Sequence, residues 1–546
     1  MRIISALTAL GLAVAAVAAP PPPVDEAIAR RVRADVEFLA SDRLEGRDTG
    51  SRGHAIAADY VAGQFRAIGL EPAGDKGSWY QQVPFRRASF DKPPRLTLTI
   101  GGKPVVLEQG KDASLRPSVT AKQIRRSAGL VFVGYGLKDT RFGFDDYRGL
   151  DVRGKIVVAL DGTPTGLPSD IAAHLKSTKD EMAAAAGAVG FVGIGGRGGR
   201  AGEADPVQRA SRPRIDWVDS AGRAGTTPPG LELIISFSRE WAARLFEGAP
   251  KSLAAVRAAV KGKGRPRGFA LTPTIAVEAD AKWEDFTSPE VIGLLRGSDP
   301  VLAAEHVVLM GHLDHLGIKP NAKLGEDAIY NGALDNAAGV ATMLEAARLF
   351  AAQPARPKRS ILFIANTGEE RGLLGASYYA NHPTVTASSI VGLVDLDMPL
   401  LLYPFTDVTA FGADHSTIGA TVAEAGSSMN VAMSPDPMPE EAIFVRSDHY
   451  MFVKRGIPAV LLMTGHANGG KAKWKDFLES TYHSVNDDLT QPIDWQAGGR
   501  YAVLNYRIAR AMADAPQRPM WLTNDYFGDL YDVNGPRRPA GTPRRP

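Results

Sequence analysis

The chain has 546 residues, 44% of them hydrophobic and 23% charged, with a formal net charge of +3 and no cysteine. That length exceeds one compact domain of usual size, and so small a net charge is no nucleic-acid footprint. Without cysteine there are no disulfides, no thiolate catalysis and no sulfur-bound zinc, so a metal would need His, Asp or Glu.

"MRIISALTALGLAVAAVAAPPPP" sets Arg2 before an apolar run from Ile3 to Val17, with small residues at Ala16 and Ala18. This is the layout of a cleaved secretory leader over residues 1–18, which predicts an exported protein, periplasmic or secreted. The run is shorter than the ~20 residues of a membrane span. No later stretch is long and apolar enough, so no stable membrane insertion is expected after cleavage. Pro20 to Pro23 form a stiff spacer.

Residues 24–115 read as the opening part of the main domain. Ile28, Val32, Val36, Leu39 and Ala40 recur at helical spacing, "SDRLEGRDTGSRG" is a polar loop, and "AIAADYVAGQFRAIGL" is a second amphipathic helix stopped by Gly69. Residues 116–275 read as an inserted β-rich domain. "GLVFVGYG" and "GKIVVALDG" are short strands bounded by glycine, "KDEMAAAAGAVGFVGIGG" is a helix, a turn and a strand, and "GGRGGRAGEADP" is a surface loop. "GIGGRGGRAG" lacks the lysine-serine ending of a phosphate loop and opens no clear helix.

Residues 276–515 carry the chemistry. "HVVLMGHLDHLG", "SILFIANTGEE", "SIVGLVDLDM" and "IPAVLLMTG" are buried strands, and "DNAAGVATMLEAARLF" is a helix between two of them. Such alternation implies an α/β fold with a mostly parallel sheet between helical layers, and a ligand site beyond the carboxyl ends of the strands. His312, Glu369, Glu370 and Asp397 all fall at such ends. In "TGEERGLLG" two glutamates stand side by side in a loop, where each can be aimed separately. A divalent cation removes their repulsion. One can bind the ion while the other takes a proton from the water that the ion acidifies. We assign Glu369 as the base and Glu370 as the ligand; spacing alone does not decide between them.

"GHLDHLG", "NGALDNAAGVATMLEAAR", "TGEERGLLGA", "VDLDM" and "YHSVNDD" stand in an order that resembles the co-catalytic di-zinc exopeptidases of metallopeptidase family 28, which include secreted aminopeptidases and glutamate carboxypeptidase relatives. The resemblance runs from Ile292 to about Ala513 and takes in the segment from Leu39 to Leu70. The inserted block resembles a protease-associated domain. The resemblance implies a three-layer zinc-exopeptidase domain with two Zn2+ per chain: His312 and Asp397 on one ion, Glu370 and His483 on the other, and Asp335 bridging. It further implies that Glu369 makes the bridging hydroxide, that Asp314 orients His312, that Tyr482 donates to the oxyanion, and that the bond after Asp335 is cis.

Other residues compete for these roles. His315 divides between support for the site and an exposed loop. Asp335 could be a mere helix N-cap. Asp395 shares a strand face with Asp397 and is its rival. His449 lies near the site, whereas His415 and His466 read as structural or solvent-facing. Pro399 departs from the family pattern beside Asp397. The implied activity is removal of N-terminal residues from peptides. Alternatives are a glutamate carboxypeptidase-like exopeptidase, with Arg446 to hold a carboxylate, a one-zinc glutaminyl cyclase, and a catalytically dead receptor-like protein. Residues 516–546, ending in "PRRPAGTPRRP", read as a flexible tail, and dimerisation through a C-terminal helical domain is not expected. The oligomeric state is left open.

Overall fold

The computed structural model describes residues 23–195, 206–261 and 264–539. The expected leader (1–18), most of the glycine-rich loop (196–205) and the last seven residues (540–546) lie outside the described residues. Helix α1 (Glu26–Leu39) is capped by Asp25, whose carboxylate accepts from the Ala27 N–H at 2.8 Å. Helix α2 (Arg52–Ile68) is capped by Ser51 and ends at Gly69, which takes the left-handed conformation with φ 90°. Their buried faces, Val32, Val36 and Leu39 on one and Ala57, Val61 and Phe65 on the other, follow the helical spacing of the apolar residues.

Next come β1 (Tyr80–Phe90), β2 (Arg95–Ile100), β3 (Lys103–Leu107), β4 (Ala113–Leu115), β5 (Gln123–Phe132) and β6 (Ile156–Leu160), then helix α3 (Ser169–Ser177), β7 (Gly190–Ile194), β8 (Leu233–Phe237) and the 27-residue β9 (Phe269–Leu295). The inserted block is a sheet in the order β3-β2-β9-β5-β6-β7-β8-β4, with β5, β6, β7 and β8 mutually parallel. Two expected boundaries shift. Strands β2 to β4 belong to this sheet rather than to the opening segment, and residue 275 falls inside β9. The first half of β9 pairs with β2 and β5, and its second half with β1 and the main sheet, so no linker separates the two parts there. Period-two burial along much of β9 explains why no break shows in its sequence.

The main sheet continues with β10 (His306–His312), helix α4 (Ala338–Ala351), β11 (Ser360–Asn366), helix α5 (Leu374–Asn381), β12 (Ile390–Asp395), β13 (Asp407–Phe411), helix α6 (Ile418–Ser427), β14 (Ala432–Ser434), β15 (Ala459–Thr464) and helix α7 (Trp495–Asp514). Its order is β1-β9-β11-β10-β12-β15-β13-β14, and β11, β10, β12 and β15 are parallel. These four strands are almost wholly buried, as their unbroken apolar runs require of strands covered on both faces. Helices α1, α4 and α7 pack on one another and, through α4 and α7, on β10, and buried Glu345 of α4 takes the Arg31 guanidinium. No helix of the described residues is long and apolar enough to cross a membrane.

The expected tail needs correction. Residues 516–539 are ordered against the main domain: Trp521 and Phe527 are fully buried, and the Trp521 indole N–H donates to the Gly456 carbonyl at 2.9 Å. The aromatic residues of "MWLTNDYF" outweigh the polar composition around them. Helix α8 (Tyr526–Tyr531) follows Asp525, whose carboxylate lies 2.6 Å from Nδ1 of buried His415. Nε2 of His415 lies 2.6 Å from Asp170 of α3, so one imidazole joins the inserted block, the main domain and the C-terminal segment. Burial opposes its charged form, but the two carboxylates outweigh burial and raise its pKa to about 9.

A folded pKa above the ordinary 6.5 means that this contribution is full below about pH 6.5 and is lost as pH rises through about 9. A rise of that size corresponds to roughly 3 kcal/mol. We predict that urea unfolding shows stability falling from pH 6.5 to 9.5, and that His415→Asn is destabilised at pH 6.5 with a flatter profile over that window. A variant profile parallel to the wild type would exclude His415 as the source.

Candidate metal centre

Five expected ligands meet beyond the carboxyl ends of the parallel strands. His312 ends β10, Asp335 precedes α4, Glu370 follows β11, Asp397 lies two residues past β12, and His483 follows the segment Phe477–Thr481. Nε2 of His312 lies 3.2 Å from Oδ1 of Asp335 and 3.1 Å from Oδ1 of Asp397. Nε2 of His483 lies 3.3 Å from the other Asp335 oxygen, Oδ2, and 3.2 Å from Oε2 of Glu370. Asp335 thus turns one oxygen to each group.

Chemistry and spacing both fit zinc. Two donors about 2.0–2.1 Å from a tetrahedral zinc stand about 3.3 Å apart, close to the observed separations. The donors are nitrogen and oxygen only, and Asp335 and Asp397 are almost wholly buried. Buried Asp314, Asp395, Asp448 and Asp487 surround them, an accumulation of negative charge that divalent cations would offset. His312, Asp335 and Asp397 would hold one ion, and Asp335, Glu370 and His483 the other.

The ligands are held from behind. Asp487 accepts from the N–H groups of Leu334 and Asp335 at 2.9 and 3.0 Å, fixing the loop before α4. The Asp335–Asn336 peptide is cis. Asn336 staples that loop to the next: its amide donates to the Leu396 carbonyl at 2.9 Å, and its oxygen accepts from the Gly339 and Met398 N–H groups at 3.0 and 3.2 Å. Gly339 is required there, because a Cβ would stand 2.1 Å from both the Asn336 and Leu396 oxygens. Fully buried Arg47 donates to the carbonyls of Leu313 at 2.9 Å, Asn331 at 2.6 Å, Gly332 at 3.1 Å and also Leu39, joining the N-terminal segment to two ligand loops. Ser447 bridges Asp397 and Asp395, with Oγ 2.7 and 2.8 Å from their Oδ2 atoms.

These contacts settle where the competing residues lie. Asp395 shares the Ser447 hydroxyl with Asp397, accepts from the His449 N–H at 3.0 Å and belongs to neither donor group. His449 is fully buried beside it, with Nδ1 3.7 Å from Oδ2 of Asp395. His415 is structural, as described above, and His466 lies near Trp474. The expectation for Asp314 needs correction. Nδ1 of His312 meets the backbone carbonyl of Asp314 at 3.0 Å, not its carboxylate. Two residues past a strand end, the chain has already turned, so the carboxylate faces the next loop. It accepts from the Glu369 N–H at 3.2 Å and the Thr49 hydroxyl at 2.9 Å.

Glu369, Tyr482, Asp335 and Asp397 line one pocket. Its far wall is apolar, formed by Met398, Met438, Ile443, Leu461, Met463, Trp474 and Leu478, with Glu441 and Arg446 also lining it. Burial pushes the Glu369 carboxyl well above the ordinary carboxylate range; Glu370, Asp397 and Asp448 add to this, against His312. The Tyr482 ring stacks on His483 at 3.8 Å between centroids. Asn336 stood in "NGALDNAAGVATMLEAAR", Arg47 in the segment from Leu39 to Leu70 and Asp487 in "YHSVNDD", whereas Ser447 stood in none of these motifs.

Residues 290–508 match the model of peptidase family M28. A probable zinc metalloprotease of Pyrenophora teres f. teres is 38% identical over 109 residues, 20% of this chain and 22% of that protein. A probable leucine aminopeptidase 2 of Aspergillus fumigatus is 28% identical over 236 residues, 40% of this chain and 43% of that protein. The chain therefore spans less than half the length of these curated relatives. The solved aminopeptidase from Aneurinibacillus sp. strain AM-1 superposes with a TM-score of 0.49 at 21% identity, covering 90% of this chain and 95% of that one. The family match thus covers residues 290–508, less than half of the chain.

Proposed function

We propose that the protein is an exported zinc-dependent aminopeptidase that removes N-terminal residues from peptides, with two Zn2+ per chain. The observation that carries this is the split of the Asp335 carboxylate between two triads of donors spaced 3.1–3.3 Å apart. Zinc held there would polarise the scissile carbonyl and acidify the attacking water. Glu369, held through its backbone N–H by Asp314, takes the proton of that water and returns it to the departing amine. Tyr482 supplies a hydroxyl donor from the pocket wall to the developing oxyanion.

The pocket favours the amino end of a peptide. Glu369 lines it as an acid outside the ligand set, and Arg446, the cation a carboxypeptidase would use, already pairs with Glu441 at 3.2 Å. The apolar wall would take the substrate's first side chain. Export is supported by the leader pattern of residues 1–18.

Aminoacyl fluorogenic substrates test the activity: the zinc-loaded protein should cleave them and should not cleave peptides blocked at the amino end. Preference for amino-blocked peptides with a free carboxyl end would replace this reading with the carboxypeptidase. Chelation should abolish turnover, and added zinc should restore it; activity that survives complete metal removal would end the proposal. Glu369→Gln should keep two zinc ions and lose about 10²–10⁴-fold in turnover, and near-normal activity would remove Glu369 as the base. Amino-terminal sequencing of exported protein should begin at Ala19, whereas an intact Met1 on exported protein would exclude the cleaved leader.

A further inference from the structure

His315 is used in none of the roles above, yet it is fully buried at the edge of the centre. Its backbone N–H donates to the Arg47 carbonyl at 3.2 Å. Its ring lies against Gly332, where a Cβ would come within 2.7 Å of the imidazole carbons. Nδ1 of His315 approaches Oε1 of Glu370 to 2.6 Å, while Oε2 of the same carboxylate faces His483 at 3.2 Å. The two oxygens of Glu370 thus have different neighbours.

The separation distinguishes two roles. Donors sharing one tetrahedral zinc stand about 3.3 Å apart, which describes His483 and Oε2. At 2.6 Å, Nδ1 of His315 is too close to Oε1 for those two atoms to share one ion, and it stands at ion-pair distance without the alignment of a hydrogen bond. We propose that His315 is a positioning residue for the second ion. As an Nδ1–H donor it takes the free oxygen of Glu370, so that Oε2 stays turned toward Asp335 and His483. Without it, the carboxylate could rotate and present either oxygen to either neighbour. This inference rests on the two-zinc reading given above.

The test measures zinc stoichiometry and affinity by equilibrium dialysis on the full chain, with the cobalt(II) absorption spectrum as a second readout. Wild type should bind two ions; failure here would refute the two-zinc reading itself. His315→Leu, which fills the same space without a donor, should weaken one of the two ions about 10–100-fold and leave the other unchanged. His315→Gln, whose amide can donate, should recover most of that loss. Two ions bound by His315→Leu at wild-type affinity would overturn the proposal, as would equal loss of both. A failure of Gln to rescue would point to direct ligation and also overturn it. If His315→Leu does not fold, imidazole ¹⁵N signals of the zinc-loaded wild type decide: a proton on Nδ1 supports the proposal, and a zinc-bound Nδ1 refutes it.

Discussion

One buried carboxylate organises the centre. Asp335 is almost wholly buried and offers Oδ1 to His312 and Oδ2 to His483. A charged group so placed is costly unless it is fully compensated. Here two imidazoles face its oxygens, and the remaining negative charge calls for cations. The surrounding acids, among them Asp314, Asp395 and Asp448, make an empty centre electrostatically unfavourable and a doubly charged pair favourable.

The fold delivers these groups because parallel strands end in register. Strands β10, β11 and β12 pair side by side, so the loops that follow them leave the same edge of the sheet. Loops alone would be too loose to hold donors at fixed spacing. Asn336 therefore ties the Asp335 loop to the Asp397 loop, and Arg47 ties the N-terminal segment to the loops after His312 and before Asp335. Carbonyl groups that would otherwise be buried without partners are satisfied by the same contacts.

The clustering of donor residues was partly legible in the sequence, because metal chemistry restricts residue type and the parallel sheet restricts position. His312 stands where an apolar run stops, while the choice of Glu370 over Glu369 and of Asp397 over Asp395 rested on the family resemblance. The supporting residues were not legible for the opposite reason. An arginine that donates to four carbonyls leaves no periodicity and has no preferred spacing from its partners. The role of Asp314 was misplaced because chain proximity to His312 says nothing about which way a loop carboxylate turns. Two features of the fold escaped on similar grounds. The strand β9 crosses from one sheet to the other without a glycine or proline cluster at residue 275, and the C-terminal segment hides its two anchoring aromatic residues, Trp521 and Phe527, in a run that is polar on average.

Anomalous diffraction at the zinc absorption edge, recorded from crystals of zinc-loaded protein, bears most directly on the central claim. Two peaks about 3.5–4 Å apart are expected, one on either side of the Asp335 carboxylate. A single peak, or peaks that leave Asp335 without contact to both, would contradict it.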